Sequence, residues 1–146
     1  MRLSLIVPSY NEEENVRPFY ETVKAVFERE AYEYEIIFVN DGSKDGTLKE
    51  MKKLYKEDNR HISVISFSRN FGKEAAILAG MRRSTGDYVT LIDADLQQRP
   101  EIVRDMVEFL EKHEEYDCVA AYQEKRRESR ALKLFKKLFY RIMDTT

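Results

Sequence analysis

The positions of apolar side chains along the chain predict β-strands and α-helices in alternation. Short runs of β-branched and other apolar residues, typical of buried strands, are each followed by a segment in which apolar residues recur every three or four positions, as on one face of a helix. The strands are predicted at residues 3–7, 34–39, 62–67, 88–92 and 117–121, and the helices at residues 16–27, 48–55, 74–83 and from about residue 100.

The alternation of five strands with helices predicts an α/β fold, in which a mainly parallel central sheet lies between two layers of helices joined by right-handed crossovers. In such a sheet, the loops that follow the strands meet at one edge. Residues 8–12, 40–43, 69–73 and 93–97 follow the first four predicted strands. We therefore expect polar side chains that are far apart in the sequence to form one site at that edge.

The last part of the chain, residues 124–146, is predicted to be a basic amphipathic helix. Its apolar stripe and the basic residues beside it are Leu132, Phe135, Leu138, Phe139 and Ile142, with Lys133, Lys136, Lys137 and Arg141. This pattern is typical of helices that bind an anionic membrane surface, and equally of helices that pack on a core with their lysines in solvent. No apolar stretch approaches the ~20 residues that cross a bilayer, so this chain is expected to be soluble by itself.

The composition is that of a globular domain. The chain has 146 residues, enough for one domain, of which 42% are hydrophobic and 36% are charged. Lys and Arg number 25 and Asp and Glu 27, so the bulk charge gives no support to a nucleic-acid partner. The one cysteine, Cys118, excludes an internal disulfide, and we predict that it is a small buried residue in a protein of a reducing compartment.

Several common kinds of enzyme site find no support in the sequence. After the first predicted strand, residues 8–13 read Pro-Ser-Tyr-Asn-Glu-Glu in place of the Gly-x-Gly-x-x-Gly turn of dinucleotide-binding folds, and a Walker loop is also missing. His61 opens a predicted strand and His113 ends a predicted helix, so neither is expected to be a catalytic base.

Two carboxylates one residue apart, Asp93 and Asp95, follow the fourth predicted strand. An acidic turn that caps the next helix has the same residue types. With the side-chain amide of Gln97, the two carboxylates are also hard oxygen donors that suit Mg²⁺ or Mn²⁺ and leave the remaining coordination positions to phosphate oxygens. Arg69 and Lys73 lie in a loop expected to face this metal, where they can neutralise a departing diphosphate.

Two further residues at the same edge suit a nucleoside. Asp41 can accept hydrogen bonds from a base or ribose, and Tyr10 can pack on a flat ring. Together with the acidic and basic groups of the other loops, they favour metal-assisted chemistry on a nucleotide diphosphate.

Four segments resemble the motifs of family 2 glycosyltransferases in their order and spacing. They are residues 7–15 (Val-Pro-Ser-Tyr-Asn-Glu-Glu-Glu-Asn), 39–47 (Val-Asn-Asp-Gly-Ser-Lys-Asp-Gly-Thr), 69–76 (Arg-Asn-Phe-Gly-Lys-Glu-Ala-Ala) and 93–97 (Asp-Ala-Asp-Leu-Gln). The resemblance is strongest to the branch that moves a sugar onto a polyprenyl phosphate, with the dolichol-phosphate mannose synthases and the bactoprenol glucosyltransferases.

The resemblance implies that residues 1–123 form a GT-A fold, a Rossmann-like three-layer sandwich, which binds a nucleotide-diphosphate sugar and Mn²⁺ or Mg²⁺ and transfers the sugar with inversion. A UDP-sugar is favoured as the donor. The nucleotide-binding residues implied by the motifs are Pro8, Tyr10, Glu12, Asp41, Lys73 and Asp93, with Asp41 on the base. The metal and diphosphate ligands implied in the same way are Asp93, Asp95 and Gln97.

The chain departs from the branch at two places. Where the branch often reads Leu-Gln-Asp-Pro-Pro-Glu, residues 96–101 read Leu-Gln-Gln-Arg-Pro-Glu, which removes one carboxylate and adds the cation of Arg99 beside the expected metal. Asn40 stands where an aspartate is common and leaves Asp41 in place.

The function expected of the full protein is inverting, metal-dependent transfer of a sugar to a polyprenyl phosphate. Asp95 through its metal, helped by Lys73 or Arg69, would stabilise the diphosphate as the glycosidic bond breaks. Transfer to a saccharide hydroxyl, and binding of nucleotide or membrane without turnover, are the alternatives. We expect residues 124–146 to begin an acceptor- and membrane-facing part, which would place the full protein on the cytoplasmic side of a membrane, and a homo-oligomer is one state considered.

Overall fold

The computed structural model of the protein describes residues 1–121 and contains four strands and four helices in alternation over that range. The elements are β1 (Arg2–Ser9), α1 (Glu13–Phe27), β2 (Glu33–Asn40), α2 (Thr47–Glu57), β3 (Ile62–Ser66), α3 (Lys73–Arg83), β4 (Tyr88–Leu91) and α4 (Pro100–Lys112). The basic helix predicted at residues 124–146 lies outside the described residues. Among the helices of residues 1–121, none has the length and hydropathy required to cross a bilayer.

The four strands form one parallel sheet in the order β3-β2-β1-β4. The chain moves outward from β1 through β2 to β3, and then returns to place β4 on the other side of β1. A crevice at the carboxyl ends of β1 and β4 results, because the strand order reverses between them, and open α/β sheets bind their ligands at such points. The predicted parallel sheet is confirmed.

Pro8 lies inside β1, although we predicted that it ends the strand. In a parallel strand, alternate residues direct their backbone polar groups to opposite neighbours. Ile6 accepts a hydrogen bond from the β4 side, from the N–H of Ile92, and Ser9 accepts one from the β2 side, from Asp41. The backbone position of Pro8 therefore faces β4. The pairing of β4 with β1 ends at Leu91, so the N–H group that Pro8 lacks has no partner in the sheet to bond.

The sheet is covered on both faces, which confirms the three-layer prediction. α1, α2 and α4 supply the larger core with Phe19, Leu54 and Val103, whereas α3 covers the other face through Ala76. α3 lies close to the sheet, since a Cβ on Gly80 would come within 2.3 Å of Ile6 Cγ2. The α/β sandwich expected of a GT-A fold is therefore present.

The strand predicted at residues 117–121 is wrong, because the structure assigns no strand to this segment. Only Val119 in it is β-branched, and the alanines at 120 and 121 have low β-propensity, so the short apolar run carries a weak preference for extended pairing. Cys118, which we predicted to be buried, is exposed for the same reason. The sheet of residues 1–121 therefore has four strands.

A buried carboxylate joins three segments at the opposite end of the sheet from the crevice. Glu35 in β2 is 6% exposed and accepts hydrogen bonds from Ser4 Oγ at 2.6 Å and from the N–H and hydroxyl of Thr85 at 2.8 and 2.9 Å. The guanidinium of Arg2 lies 3.3 Å away. Burial by itself would raise the pKa of Glu35, but these hydrogen bonds and the Arg2 charge outweigh it and lower the pKa below its ordinary value of 4.5.

We expect Glu35→Gln to reduce the free energy of unfolding at pH 7 by about 1–3 kcal/mol, because the neutral amide weakens the bonds from Ser4 and Thr85 and would direct its NH₂ at Arg2. The pKa of Glu35 is lowered in the folded state, so the advantage of the wild type is fully present above the unfolded-state pKa and is lost as the pH falls through the lower folded-state value. Urea unfolding of both proteins between pH 7 and pH 3 measures this. A difference that stays constant with pH would contradict it.

Candidate active site

The loops after β1 and β2 are joined by reciprocal hydrogen bonds. The N–H of Asn11 donates to Ser43 Oγ at 3.0 Å, and the N–H of Lys44 donates to Asn11 Oδ1 at 2.9 Å. Asn11 has a φ of 56°, in the left-handed region that Asn tolerates better than most residues. Asn11 therefore connects the two loops.

A second group of bonds fastens the start of α1 to the turn before α2. Thr47 Oγ1 accepts from the N–H of Glu12 at 2.8 Å, and Glu13 Oε2 accepts from the N–H of Gly46 at 2.9 Å. Asp45 Oδ1 accepts from the N–H and hydroxyl of Thr47. Asp45 is exposed, and its slight desolvation, which would raise the pKa, is outweighed by these bonds and one from the N–H of Glu13, which lower the pKa.

The loop after β3 is held against the end of β2. The carboxylate of Asp41 accepts the backbone N–H groups of Phe71 at 2.7 Å and Gly72 at 3.0 Å. Gly42 has a φ of 67°, and a Cβ there would come within 2.2 Å of the carbonyl carbon of Arg69. The Asp41-Gly42 pair therefore brings the third loop into direct contact with the second.

These loops and the end of β4 surround a cavity of about 490 Å³, a size usual for ligand sites. Its lining residues are Pro8, Ser9, Tyr10, Glu12, Asp41, Asn70, Gly72, Lys73, Ala76, Asp93, Ala94 and Asp95. Seven of the predicted site residues are among them: Pro8, Tyr10, Glu12, Asp41, Lys73, Asp93 and Asp95. The structure thus brings together side chains from four loops that span some 90 residues of sequence.

The charged groups of the cavity interact with one another and with the backbone. Lys73 Nζ lies 2.6 Å from Asp93 Oδ1, with both side chains partly exposed. Asp95 Oδ1 accepts the N–H of Gln97 at 3.0 Å across Leu96, whose φ of 58° is unusual for a bulky residue. Such local strain is common at functional sites, and here it shapes the turn that carries Asp95.

Two predicted residues, Arg69 and Gln97, do not line this cavity. The guanidinium of Arg69 lies 4.8 Å above the ring of Phe71, at a cation–π distance. Gln97 and Arg99 line a second cavity of about 460 Å³, which shares Asp93 and Asp95 with the first. The two carboxylates therefore stand between two neighbouring cavities, which the sequence pattern did not indicate.

The donor set suits a divalent cation that is shared with a ligand. Within residues 1–121, no group of three or more His, Cys, Asp or Glu side chains is arranged to hold a metal ion. Mg²⁺ and Mn²⁺ sites commonly need only one or two protein carboxylates, because phosphate oxygens and water complete the coordination. Asp93 and Asp95, with the amide oxygen of Gln97 nearby in sequence, fit that kind of site.

The hydrogen bonds between the loops were missed by sequence analysis. Asn11 and Glu13 bond to partners more than 30 residues away, and Asp45 bonds both to nearby Thr47 and to the N–H of Glu13, 32 residues away. The only signal in the sequence was the density of Asn, Asp and Ser in both loops, since these side chains often bond to nearby backbone.

Comparison with known proteins places this geometry in a family. The pattern that defines "Glycosyl transferase family 2" matches residues 4–145. The chain is 39% identical to the uncharacterized glycosyltransferase YkcC of Bacillus subtilis (strain 168) over 144 residues. This aligned region covers 98% of the chain and 44% of that protein. It is 46% identical to the bactoprenol glucosyl transferase of Shigella phage SfX over 108 residues. This aligned region covers 74% of the chain and 35% of that protein. The chain thus spans less than half the length of these curated relatives.

Solved structures share the fold. A mannosyltransferase of Pyrobaculum calidifontis, in complex with GDP-Man and Mn²⁺, superposes with a TM-score of 0.63 at 24% identity over 75% of the chain and 32% of that protein. TarS of S. aureus, residues 1–349 in complex with UDP, superposes with a TM-score of 0.65 at 22% identity over 88% of the chain and 40% of that protein. At these identities, the likeness bears on the fold alone, and it confirms the predicted GT-A class.

We expect Gly42→Ala to reduce the free energy of unfolding by about 1–3 kcal/mol, because the new Cβ meets backbone and the φ of 67° strains alanine. Gly46→Ala is the matched control. Its φ is −79°, and the three atoms nearest to its Cβ would belong to the flexible carboxylate of Glu13, which can turn away at the cost of its one bond to the N–H of Gly46, so a smaller loss is expected. Urea unfolding measures both. An equal loss in the two variants would contradict the close contact between the second and third loops.

Proposed function

This chain belongs to glycosyl transferase family 2, and on that premise we propose that the whole protein transfers a sugar from a nucleotide-diphosphate sugar to a polyprenyl phosphate. The acceptor is supported by the relative that is named a bactoprenol glucosyl transferase. Such transfer would take place at the cytoplasmic face of a membrane, with residues 124–146 as the beginning of the part that meets the lipid. A homo-oligomeric state stays a prediction.

One observation carries the proposal: Lys73, Asp93 and Asp95 share the cavity at the carboxyl ends of β1 and β4. A diphosphate needs cationic partners, and two carboxylates in the same cavity would repel it unless a cation lies between them. A divalent ion held by Asp93 and Asp95 would supply the positive charge that offsets this repulsion. The ligand class that suits all three side chains is therefore a metal-bound diphosphate.

The nucleoside would occupy the part of the cavity formed by the loop after β1. Tyr10 is 41% exposed at the cavity, so its ring is available to pack on a base. Glu12 lines the same part and accepts a hydrogen bond from Asn15 Nδ2 at 2.5 Å, which orients its carboxylate. Pro8 provides a rigid wall. The base contact that the resemblance implies for Asp41 stays a prediction; each of its oxygens accepts one backbone N–H group and can accept a further hydrogen bond.

Bond breaking would leave negative charge on the diphosphate. Asp93, Asp95 and Gln97 would hold the divalent ion, which neutralises this charge as a Lewis acid. Lys73 would move from Asp93 to a phosphate oxygen, which adds a second cation and frees Asp93. Arg69 stacks on Phe71 outside the cavity lining, so its catalytic role stays a prediction.

The acceptor phosphate would attack the anomeric carbon from the side opposite the diphosphate, which gives inversion. A phosphate monoester has a second pKa of about 6 and is mostly ionised near neutral pH. The nucleophile therefore needs no strong general base. The acceptor would approach from the second cavity, which shares Asp93 and Asp95 with the first.

We expect the 146-residue chain to bind UDP in a Mn²⁺-dependent way, and Asp95→Ala to weaken this binding at least about tenfold through the loss of a metal ligand. Asp105→Ala is the control, because Asp105 is exposed on α4 and pairs only with Arg104 among the described residues. Calorimetric titration with UDP and with GDP, with and without Mn²⁺, measures the effect. Binding that is independent of metal, or unchanged in Asp95→Ala, would contradict the site assignment.

Lys73→Met is expected to change two affinities in opposite directions. Removal of the ammonium group frees Asp93, so binding of Mn²⁺ alone should tighten about two- to fivefold, the size of a partly exposed ion pair. Binding of UDP with Mn²⁺ should weaken, since a cation is lost from the diphosphate. Electron paramagnetic resonance of free Mn²⁺ gives the first affinity and calorimetry the second, with Lys56→Met, at an exposed position of α2, as control. A fall in both affinities would contradict the exchange of Lys73 between Asp93 and phosphate.

A further inference from the structure

The second cavity has a polar end and an apolar wall. The polar end is formed by residues 97–99 together with Asp93 and Asp95, which also line the first cavity. The apolar wall is formed by the end of β4 and by α4, with the side chains of Leu91, Ile102, Val103 and Met106. Leu91 is 45% exposed and Ile102 is 37% exposed, so residues 1–121 leave part of this wall uncovered. A ligand that suits the whole cavity therefore has a polar head and an apolar tail.

Arg99 is the one cation among residues 1–121 that lines this cavity. It is exposed and stands directly before Pro100, the first residue of α4. Within the same range, its guanidinium forms no ion pair, whereas the guanidinium of Arg104, further along α4, pairs with Asp105. The charge of Arg99 can therefore serve an anionic group in the second cavity.

The two departures from the branch motif both fall in the lining of this cavity. Gln98 stands where the motif has an aspartate, and Arg99 stands where it has a proline. The first change removes a negative charge and the second adds a positive charge. Both make this end of the cavity more favourable for an anion.

An anion bound there would lie next to the diphosphate of the first cavity. In the proposed function, Asp93 and Asp95 hold a divalent ion between the two cavities. A phosphate in the second cavity and a diphosphate in the first would repel each other. Arg99 would supply positive charge on the side of the second cavity, as Lys73 does on the side of the first.

We infer that Arg99 binds the phosphate of a prenyl monophosphate acceptor, whose first isoprenoid units pack on Leu91, Ile102 and Met106. The inference rests on the proposed function and deepens it, because it names the residues that hold the acceptor. A guanidinium suits this head group, since its planar N–H groups can donate two parallel hydrogen bonds to phosphate oxygens. The cation would be a feature of this chain that the branch motif lacks.

The test is a titration of the 146-residue chain with geranyl monophosphate, a short prenyl monophosphate. Amide-resolved NMR follows the binding in the presence of UDP and of Mg²⁺, which is diamagnetic and does not broaden the signals. The wild-type amides of Arg99, Ile102 and Met106 should shift. In Arg99→Gln, the affinity for geranyl monophosphate should fall about five- to twentyfold, while the affinity for UDP with Mg²⁺ stays within about twofold. Arg99→Lys should lose less, because lysine keeps the charge without the planar pair of donors.

Two further ligands and one control variant identify the source of the effect. Geraniol has the same tail without the phosphate, so it should bind more weakly and with equal affinity to the wild type and to Arg99→Gln. Inorganic phosphate has no tail and should also bind more weakly than geranyl monophosphate. Arg104→Gln removes the same charge from α4 at a residue that pairs with Asp105, and it should change none of these affinities.

Equal affinity of the wild type and Arg99→Gln for geranyl monophosphate would overturn the role of Arg99, and an equal loss of affinity for UDP would assign Arg99 to the donor. Inorganic phosphate that binds as tightly as geranyl monophosphate would overturn the role of the apolar wall. A wild type that binds UDP but no geranyl monophosphate would overturn the inference and leave the donor site in place, as expected if residues after 121 cover the wall. A wild type that does not bind UDP would overturn the proposed function, and the comparison with Arg99→Gln would still decide whether Arg99 binds a prenyl phosphate.

Discussion

The pairing of β1 with both β2 and β4 is the constraint on which the rest of the structure depends. Six of the eight residues of β1 are buried, and the strand has β2 on one side and β4 on the other, so the order of the strands reverses next to it. A parallel sheet with this reversal opens a crevice at the carboxyl ends of the two strands. Pro8 and Tyr10 at the end of β1 come to face Asp93 and Asp95 after β4 for this reason.

Several polar residues around the crevice form hydrogen bonds that hold the loops together. Asn11 and Glu13 fasten the first loop to the second, and Asp41 fastens the second to the third. Each bond joins a side chain to a backbone N–H group that the loop would otherwise leave without a protein partner. Among residues 1–121, the groups that line the cavity without such a role are chiefly Tyr10 and Lys73, and the one ion pair of Lys73 within this range is with Asp93.

The features that have a local sequence pattern could be predicted from the sequence. Apolar periodicity predicted the four strands and four helices of residues 1–121 and hence the meeting of the four loops, while Asp93-Ala94-Asp95 was placed correctly at the strand end. The segment 117–121 was predicted wrongly because a four-residue apolar run indicates burial but not a partner strand. The contacts of Asp41 and Asn11 were out of reach, since their partners lie about 30 residues away and hydrogen bonds of this kind leave no periodic trace.

A crystal structure of this chain with UDP and Mn²⁺, with the manganese located by its anomalous signal, tests most directly whether the cavity binds a metal-bound nucleotide diphosphate. The expected result is an anomalous peak next to Asp95, with diphosphate density between that peak and Lys73 and the uridine toward Tyr10. A nucleotide bound at any other surface, or a diphosphate in this cavity without manganese beside Asp95, would contradict the assignment.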